Sequence, residues 1–112
     1  MDYKAYRKLL SILKKKCPVA FPVNVRRVKL NGLDGDCSLD KKRFHIRINK
    51  DISESSAIDT LLHEWAHARA WNHLHDSYDF NKFIECIHDA SWGVAYSEVY
   101  RVYEKFYLKN KI

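Results

Sequence analysis

The stretch LLHEWAHARAW, residues 61–71, decides how the rest of the chain is interpreted. It contains the pattern H-E-x-x-H, with His63, Glu64 and His67 at the three named positions. On an α-helix, residues four apart lie on the same face, one turn above the other. The two imidazoles can therefore share one metal ion, and tetrahedral Zn²⁺ suits nitrogen ligands of this kind.

Glu64 follows the first histidine directly, so it is not placed to bind the metal itself. It can instead accept a proton from a water molecule that the metal activates. With six histidines and five glutamates in 112 residues, a chance match is expected roughly once in a hundred such chains. The motif therefore predicts one Zn²⁺ per chain, with His63 and His67 as ligands and Glu64 as the general base of an amide hydrolysis.

The residues ahead of the motif predict the helix that carries it. Ser53 or Ser56 can cap its N-terminus. Apolar side chains recur at helical spacing on a different face from the histidines: Ile58, Leu61, Leu62 and Trp65. A further long helix is expected after Asp89 or Ser91, ending at about Leu108. Its inward-facing residues are predicted to be Val94, Val99, Val102 and Phe106.

Strands are predicted between an N-terminal helix in residues 2–16 and the motif. VNVRRVKL (23–30) is rich in β-branched residues, and its shift of apolar parity predicts a bulge at Arg26-Arg27. CSLD follows the turn-rich NGLDGD (31–36), and RFHIRIN (43–49) alternates, with Phe44, Ile46 and Ile48 facing one way. We expect an α-β-β-β-α-α order: one α+β domain over residues 1–112, with an antiparallel meander of about three strands.

The third ligand is not determined by the motif. Candidates downstream are His73, His75, Asp76, His88, Asp89 and Glu98. His73 and His75 lie six and eight residues past His67, where the helix is ending, and no glycine is present there to reverse the chain. His88, in CIHDASWG, leads into the last helix, which is a good geometry for a ligand from a facing element.

LLHEWAHARAW followed by HDASWGVAYSEVYR resembles the SprT-like (Spartan-type) zincins and the small phage and bacterial metallopeptidase-like domains related to them. The resemblance covers residues 44–104 and two motifs. It implies that His63, His67 and His88 are the zinc ligands and Glu64 the base. The cysteine-rich zinc ribbon and the DNA-binding extensions of that family are missing, and Asp89 stands where a glycine is frequent. Asp89 can orient a ligand or cap the last helix.

Peptide deformylases are the rival family. They also carry H-E-x-x-H and take a cysteine as third ligand, and DGDCSL places Cys37 upstream in a faintly similar setting. The residue before the second histidine is Ala66 rather than Asp, and the upstream glycine-rich motif of that family is absent. The SprT-like interpretation is therefore preferred.

The proposed chemistry also needs an oxyanion donor and a place for substrate. Tyr96 is the candidate donor, with ordinary aromatic packing as its alternative. Zincins commonly bind an extended peptide by strand addition, and RFHIRIN is the expected edge strand. Two function classes remain: a zinc endopeptidase, acting on proteins or peptides that include nucleic-acid-associated ones, and a zincin-fold binding module with little turnover.

The distribution of charged residues limits the classes of binding partner that are expected. Residues 1–50 carry 14 Lys/Arg and 4 Asp/Glu, whereas residues 51–100 carry 2 and 9. The acidic segment favours a cation, and the basic flanks predict weak nucleic-acid binding or a solvated surface. The candidate phosphate contacts are Lys14, Lys15, Lys16, Lys41, Lys42 and Arg43.

The expected location is the cytoplasm, with a nucleoid or phage association. No apolar run approaches the roughly 20 residues of a membrane span, and the N-terminus lacks a signal-peptide pattern. Three widely spaced cysteines, Cys17, Cys37 and Cys86, predict reduced thiols rather than a disulfide framework. No feature of the sequence indicates the oligomeric state.

Overall fold

The computed structural model of the protein describes residues 3–71 and 90–108. The predicted α+β class is confirmed: helices pack on one face of a small sheet. The elements are α1 (Lys4–Lys16), β1 (Val23–Val28), β2 (Gly35–Asp40), β3 (Arg43–Asn49), α2 (Glu54–Ala70), α3 (Ala90–Val102) and a π-helical segment, Tyr103–Leu108.

The described strands form a mixed sheet in the order β1-β3-β2. β2 is antiparallel to β3, but β1 is parallel to it, so the predicted antiparallel meander is wrong. The central position suits β3 because its apolar side chains, Phe44, Ile46 and Ile48, are almost completely buried. A central strand is shielded from solvent by a neighbouring strand on each side. Because β3 is central, the expectation that RFHIRIN offers a free edge to a peptide is also wrong.

The predicted bulge at Arg26-Arg27 is likewise wrong. The register of β1 with β3 runs without interruption from Val23–Phe44 to Val28–Asn49. Arg27 accordingly lies half-buried on the same side of β1 as Val25. Its guanidinium lies 3.9 Å from the centroid of the Tyr3 ring and donates to the Lys50 carbonyl oxygen at 2.9 Å. Cation–π contact and a hydrogen bond thus accommodate a charged residue on the core side.

α2 crosses the core, and hydrogen bonds fix its N-terminal end. Ser53 is the N-cap, and its hydroxyl accepts a hydrogen bond from the Ser56 amide. Glu54 accepts hydrogen bonds from the amides of Ala5 and Tyr6 at 3.1 and 3.3 Å, so the first turn of α2 caps the start of α1. Further along α2, the predicted apolar stripe is confirmed, because its four residues are all buried: Ile58, Leu61, Leu62 and Trp65.

α3 packs against α2 through small and branched side chains. Val99 is fully buried, as predicted, and Val102 packs against the core. Val94 is 61% exposed, so its predicted inward position is wrong. The buried stripe instead begins at Ala95, one residue later, which leads to Val99 and Val102 at helical spacing. Among the described residues, no helix is long and apolar enough to cross a membrane.

Candidate metal centre

His63 and His67 lie one turn apart on α2 and turn their rings toward each other. Their Nε2 atoms are 3.2 Å apart, and the ring centroids are separated by 4.8 Å. Two nitrogens bound to one zinc at about 2.0–2.1 Å in tetrahedral geometry are about 3.3 Å apart. The separation of the two Nε2 atoms therefore fits a shared zinc ion with little movement of either ring.

Glu64 lies beneath this pair, between α2 and β2. Only 8% of the residue is exposed, and it is the one buried charged residue in the described part of the chain. Burial raises the pKa of its carboxyl group from 4.5 to about 7, and the negative charge of Asp36 on β2 adds to the shift. Asp36 itself forms an ion pair with Arg47 on β3. A carboxyl group with a pKa near neutrality can both accept and return a proton, as a general base must.

Two of the candidate third ligands can be placed. Cys37 lies on β2 with its thiol partly buried, and burial raises the pKa of that thiol. Glu98 on α3 forms an ion pair with Arg69, with Nη2 and Oε2 2.6 Å apart. Within residues 3–71 and 90–108, no three His, Cys, Asp or Glu side chains converge to hold a metal. The remaining candidates, His88 among them, lie outside the described residues: His73, His75, Asp76, His88 and Asp89.

Trp92 of α3 covers the histidine pair, a position that the sequence patterns above do not predict. Its ring centroid lies 5.1 Å from that of His63 and 5.6 Å from that of His67. An indole at this position shields the imidazoles from solvent on one side. The signal was present in the sequence as the tryptophan of HDASW, four residues after His88.

Tyr96, the candidate oxyanion donor, lies one turn after Trp92. Its ring stacks on Trp92 with the centroids 5.1 Å apart and on Tyr100 at 6.2 Å. Partial burial raises the pKa of its hydroxyl, with a further contribution from Asp59 on α2. Tyr96 therefore stays protonated at neutral pH and keeps its hydroxyl hydrogen to donate. The stacking of Tyr96 on Trp92 is also what the alternative interpretation, ordinary aromatic packing, predicts.

A pocket of about 490 Å³ opens beside the candidate site. One wall is the chain that enters β2, residues 32–35, and the other is the side of α2 that carries Asp59, Thr60, His63 and Glu64. The two walls can approach this closely because residue 35 is a glycine: a Cβ atom there would be 2.5 Å from Thr60 Cγ2. Gly32, with φ +79°, turns the chain into this wall. The pocket is thus continuous with His63 and Glu64.

Comparison of the chain with protein-family models, with curated proteins and with solved structures finds no match. The case for a function therefore depends on the chemistry and the geometry of this site.

Proposed function

We propose that the protein is a zinc metallopeptidase of the SprT-like kind. The observation that carries the proposal is the 3.2 Å separation of the His63 and His67 Nε2 atoms, with a buried carboxyl group on the adjoining residue, Glu64. Histidines that merely fill a core do not need a glutamate of raised pKa between them. His88 completes the ligand set in this proposal, as the resemblance implies.

Each residue of the site has one task. A bound zinc ion would supply Lewis acidity toward the substrate carbonyl and toward water. Glu64 takes the proton from the attacking water and passes it to the leaving amine. Trp92 keeps bulk water away from the imidazoles, which strengthens electrostatic interactions at the site. Tyr96 donates its hydroxyl hydrogen to the oxygen on which negative charge develops.

The peptide substrate is proposed to bind along β2. Within the described sheet β2 is an edge strand, so its outer edge has no strand partner there. The residues that lead into β2 line the same pocket as His63 and Glu64. A peptide added to this edge would form main-chain hydrogen bonds and present its side chains to the pocket. β2 therefore replaces β3 as the proposed substrate strand.

Weak binding of nucleic acid is proposed at the opposite end of the sheet. Exposed basic residues lie in the last turn of α1 and in the β2–β3 turn: Lys14, Lys15, Lys16, Lys41, Lys42 and Arg43. The β2–β3 turn lies at the end where β1 and β3 begin, because Pro22 O accepts a hydrogen bond from Phe44 N. The last turn of α1 is near the same end, since Lys14 lines a pocket together with Pro22 and Val23. The phosphates of a nucleic acid could bind to these basic residues. A protein attached to that nucleic acid could then extend a segment to the acidic site.

The test is metal analysis combined with a protease assay on unfolded protein, with and without single-stranded DNA. We expect one zinc per chain and cleavage that stops when zinc is removed and returns when it is restored. Stimulation by DNA should disappear as salt is raised, since phosphate contacts are screened. Stoichiometric zinc without cleavage under either condition would favour the zincin-fold binding module, and absence of zinc would refute both.

A further inference from the structure

Two exposed carboxylates face the pocket beside the candidate site. Asp34 lies in the wall that leads into β2, and Asp59 lies on α2, one turn before His63. Neither carboxylate forms an ion pair or a side-chain hydrogen bond with any described residue. Asp36, two residues after Asp34, is by contrast paired with Arg47. The pocket therefore has negative charge that the described chain does not neutralise.

A third carboxyl group lies at the inner end of the same pocket. Glu64 is more than nine-tenths buried, and its side chain forms no hydrogen bond with any described residue. Because Glu64 lines the pocket, its carboxyl group can accept hydrogen bonds from a ligand that brings donors to this end. The carboxylates do not converge closely enough to hold a metal ion within the described residues. An extended organic cation fits such an arrangement better than a bare ion does.

The walls are held in place by packing, so the pocket exists before a ligand arrives. The near-contact of Gly35 with Thr60 fixes the spacing between β2 and α2. A preformed pocket lowers the ordering cost of binding.

We propose that this pocket is a subsite for the cationic side chain of a lysine or arginine next to the peptide bond that is cleaved. Naming a substrate class in this way rests on the proposed peptidase function. Asp34 and Asp59 are its specificity-determining residues. Proteins that bind nucleic acid are rich in lysine and arginine, so the subsite agrees with the proposed substrates.

Binding can be tested without zinc and without catalysis. Nα-acetyl-lysine methylamide is titrated into the metal-free full-length protein, and the backbone amide signals are followed by NMR. We expect saturable shifts at Gly32, Gly35 and Thr60, with millimolar affinity. Nα-acetyl-norleucine methylamide, which has an apolar side chain of similar length, should cause no such shifts. Equal shifts with both probes, or none with lysine, would overturn the subsite.

Variants assign the effect to the two carboxylates. Asp34→Asn and Asp59→Asn should each weaken binding of the lysine probe about fivefold, as expected for an exposed ion pair, and the double variant at least tenfold. Asp51→Asn is the matched control, because Asp51 is exposed but lines a separate pocket with Tyr3 and Arg27. Asp59→Lys should shift the preference to Nα-acetyl-glutamate methylamide, which a merely structural role would not produce. Unchanged lysine affinity in the double variant would refute the assignment.

Cleavage gives a second, separate measurement. With zinc present, kcat/KM is compared for two peptides that differ only in lysine against norleucine beside the cleaved bond. The ratio should favour lysine, and the double variant should lose at least tenfold of that ratio. If no peptide is cleaved, the peptidase proposal fails, and the NMR titration alone decides whether the cation site exists. Cleavage with no preference for lysine, alongside probe binding, would overturn the role in specificity.

Discussion

Gly35 of β2 lies so close to Thr60 of α2 that a Cβ atom at residue 35 would be 2.5 Å from Thr60 Cγ2 and 2.7 Å from the carbonyl oxygen of Arg47. The threonine can rotate, but the carbonyl oxygen belongs to the backbone of the central strand. The contact sets the distance between the sheet and the helix that carries His63 and Glu64.

Gly35→Ala should lower the free energy of unfolding by about 1–3 kcal/mol, because the added methyl group overpacks the interface. Urea denaturation of both proteins measures the change. The control is Gly93→Ala: Gly93 lies in α3, where a Cβ atom would meet nothing within 4 Å, so alanine should stabilise the protein by about 0.5–1 kcal/mol. A neutral or stabilising Gly35→Ala would contradict the packing argument.

His63→Ala and His67→Ala should each abolish stoichiometric zinc, because each removes one of the two nitrogens that are proposed to share the ion. His45→Ala is the control, since His45 lies on β3 and points away from the core side of the strand. Metal content of the purified proteins is the measurement. Full occupancy in either of the first two variants would refute the site.

Glu64→Gln should keep zinc and the fold but reduce kcat by about 10²–10⁴, because an amide cannot act as the base. The variant preserves the shape of the side chain, so a loss of metal should not accompany the loss of activity. Metal analysis and a peptide-cleavage assay on the same preparation separate the two effects. Wild-type turnover by the variant would exclude Glu64 from that role.

Cys37 should resist alkylation at pH 8. Burial is the main cause of its raised pKa, and Glu64 and Asp36 add to the shift. Since the thiolate is the reactive form, the rate should stay low through the range where an ordinary thiol ionises and increase only at higher pH. Mass spectrometry of the peptide that contains Cys37 follows the reaction. Urea-unfolded protein should react at the ordinary rate, and a folded protein that matched it would contradict the burial.

His88→Ala should weaken zinc binding by orders of magnitude, whereas His73→Ala and His75→Ala should bind nearly normally. The reason is that His88 precedes a separate helix, which can approach the His63–His67 pair from the facing side. Cys37→Ser should also keep zinc, because among the described residues Cys37 does not converge with the histidine pair to form a three-donor group. Competition with a chelator of known affinity measures all four variants. Loss of zinc from His73→Ala or His75→Ala with full retention in His88→Ala would reverse the assignment.

Helix-forming patterns predicted much of the fold because they are local. The stripe from Ile58 to Trp65 is buried, and Ser53 caps α2. The alternation of RFHIRIN likewise matches the buried face of β3. Val94 was misassigned because a helix with apolar residues on several positions offers more than one candidate stripe, and only the packing partner selects between them.

The pairing of strands was not predictable in the same way. Turn residues between β1 and β2 suggested a hairpin, yet β3 lies between these strands. The shift of apolar parity in β1 predicted a bulge at Arg26-Arg27, but contact with the Tyr3 ring supplies a place for Arg27 on the core side. Both outcomes depend on residues more than ten positions apart in the chain, and no local pattern carries that information.

The sequence by itself determined the approach of His63 and His67, because four residues on a helix always make one turn and bring such side chains together. It also placed Glu64 beside them. Only the tertiary structure decided what surrounds these three residues: the indole of Trp92 above the rings, Asp36 beside Glu64, and the pocket walled by residues 32–35. The physical reason is that helical neighbours are set by bonded geometry, whereas contacts between helix, strand and loop are set by packing over the whole chain.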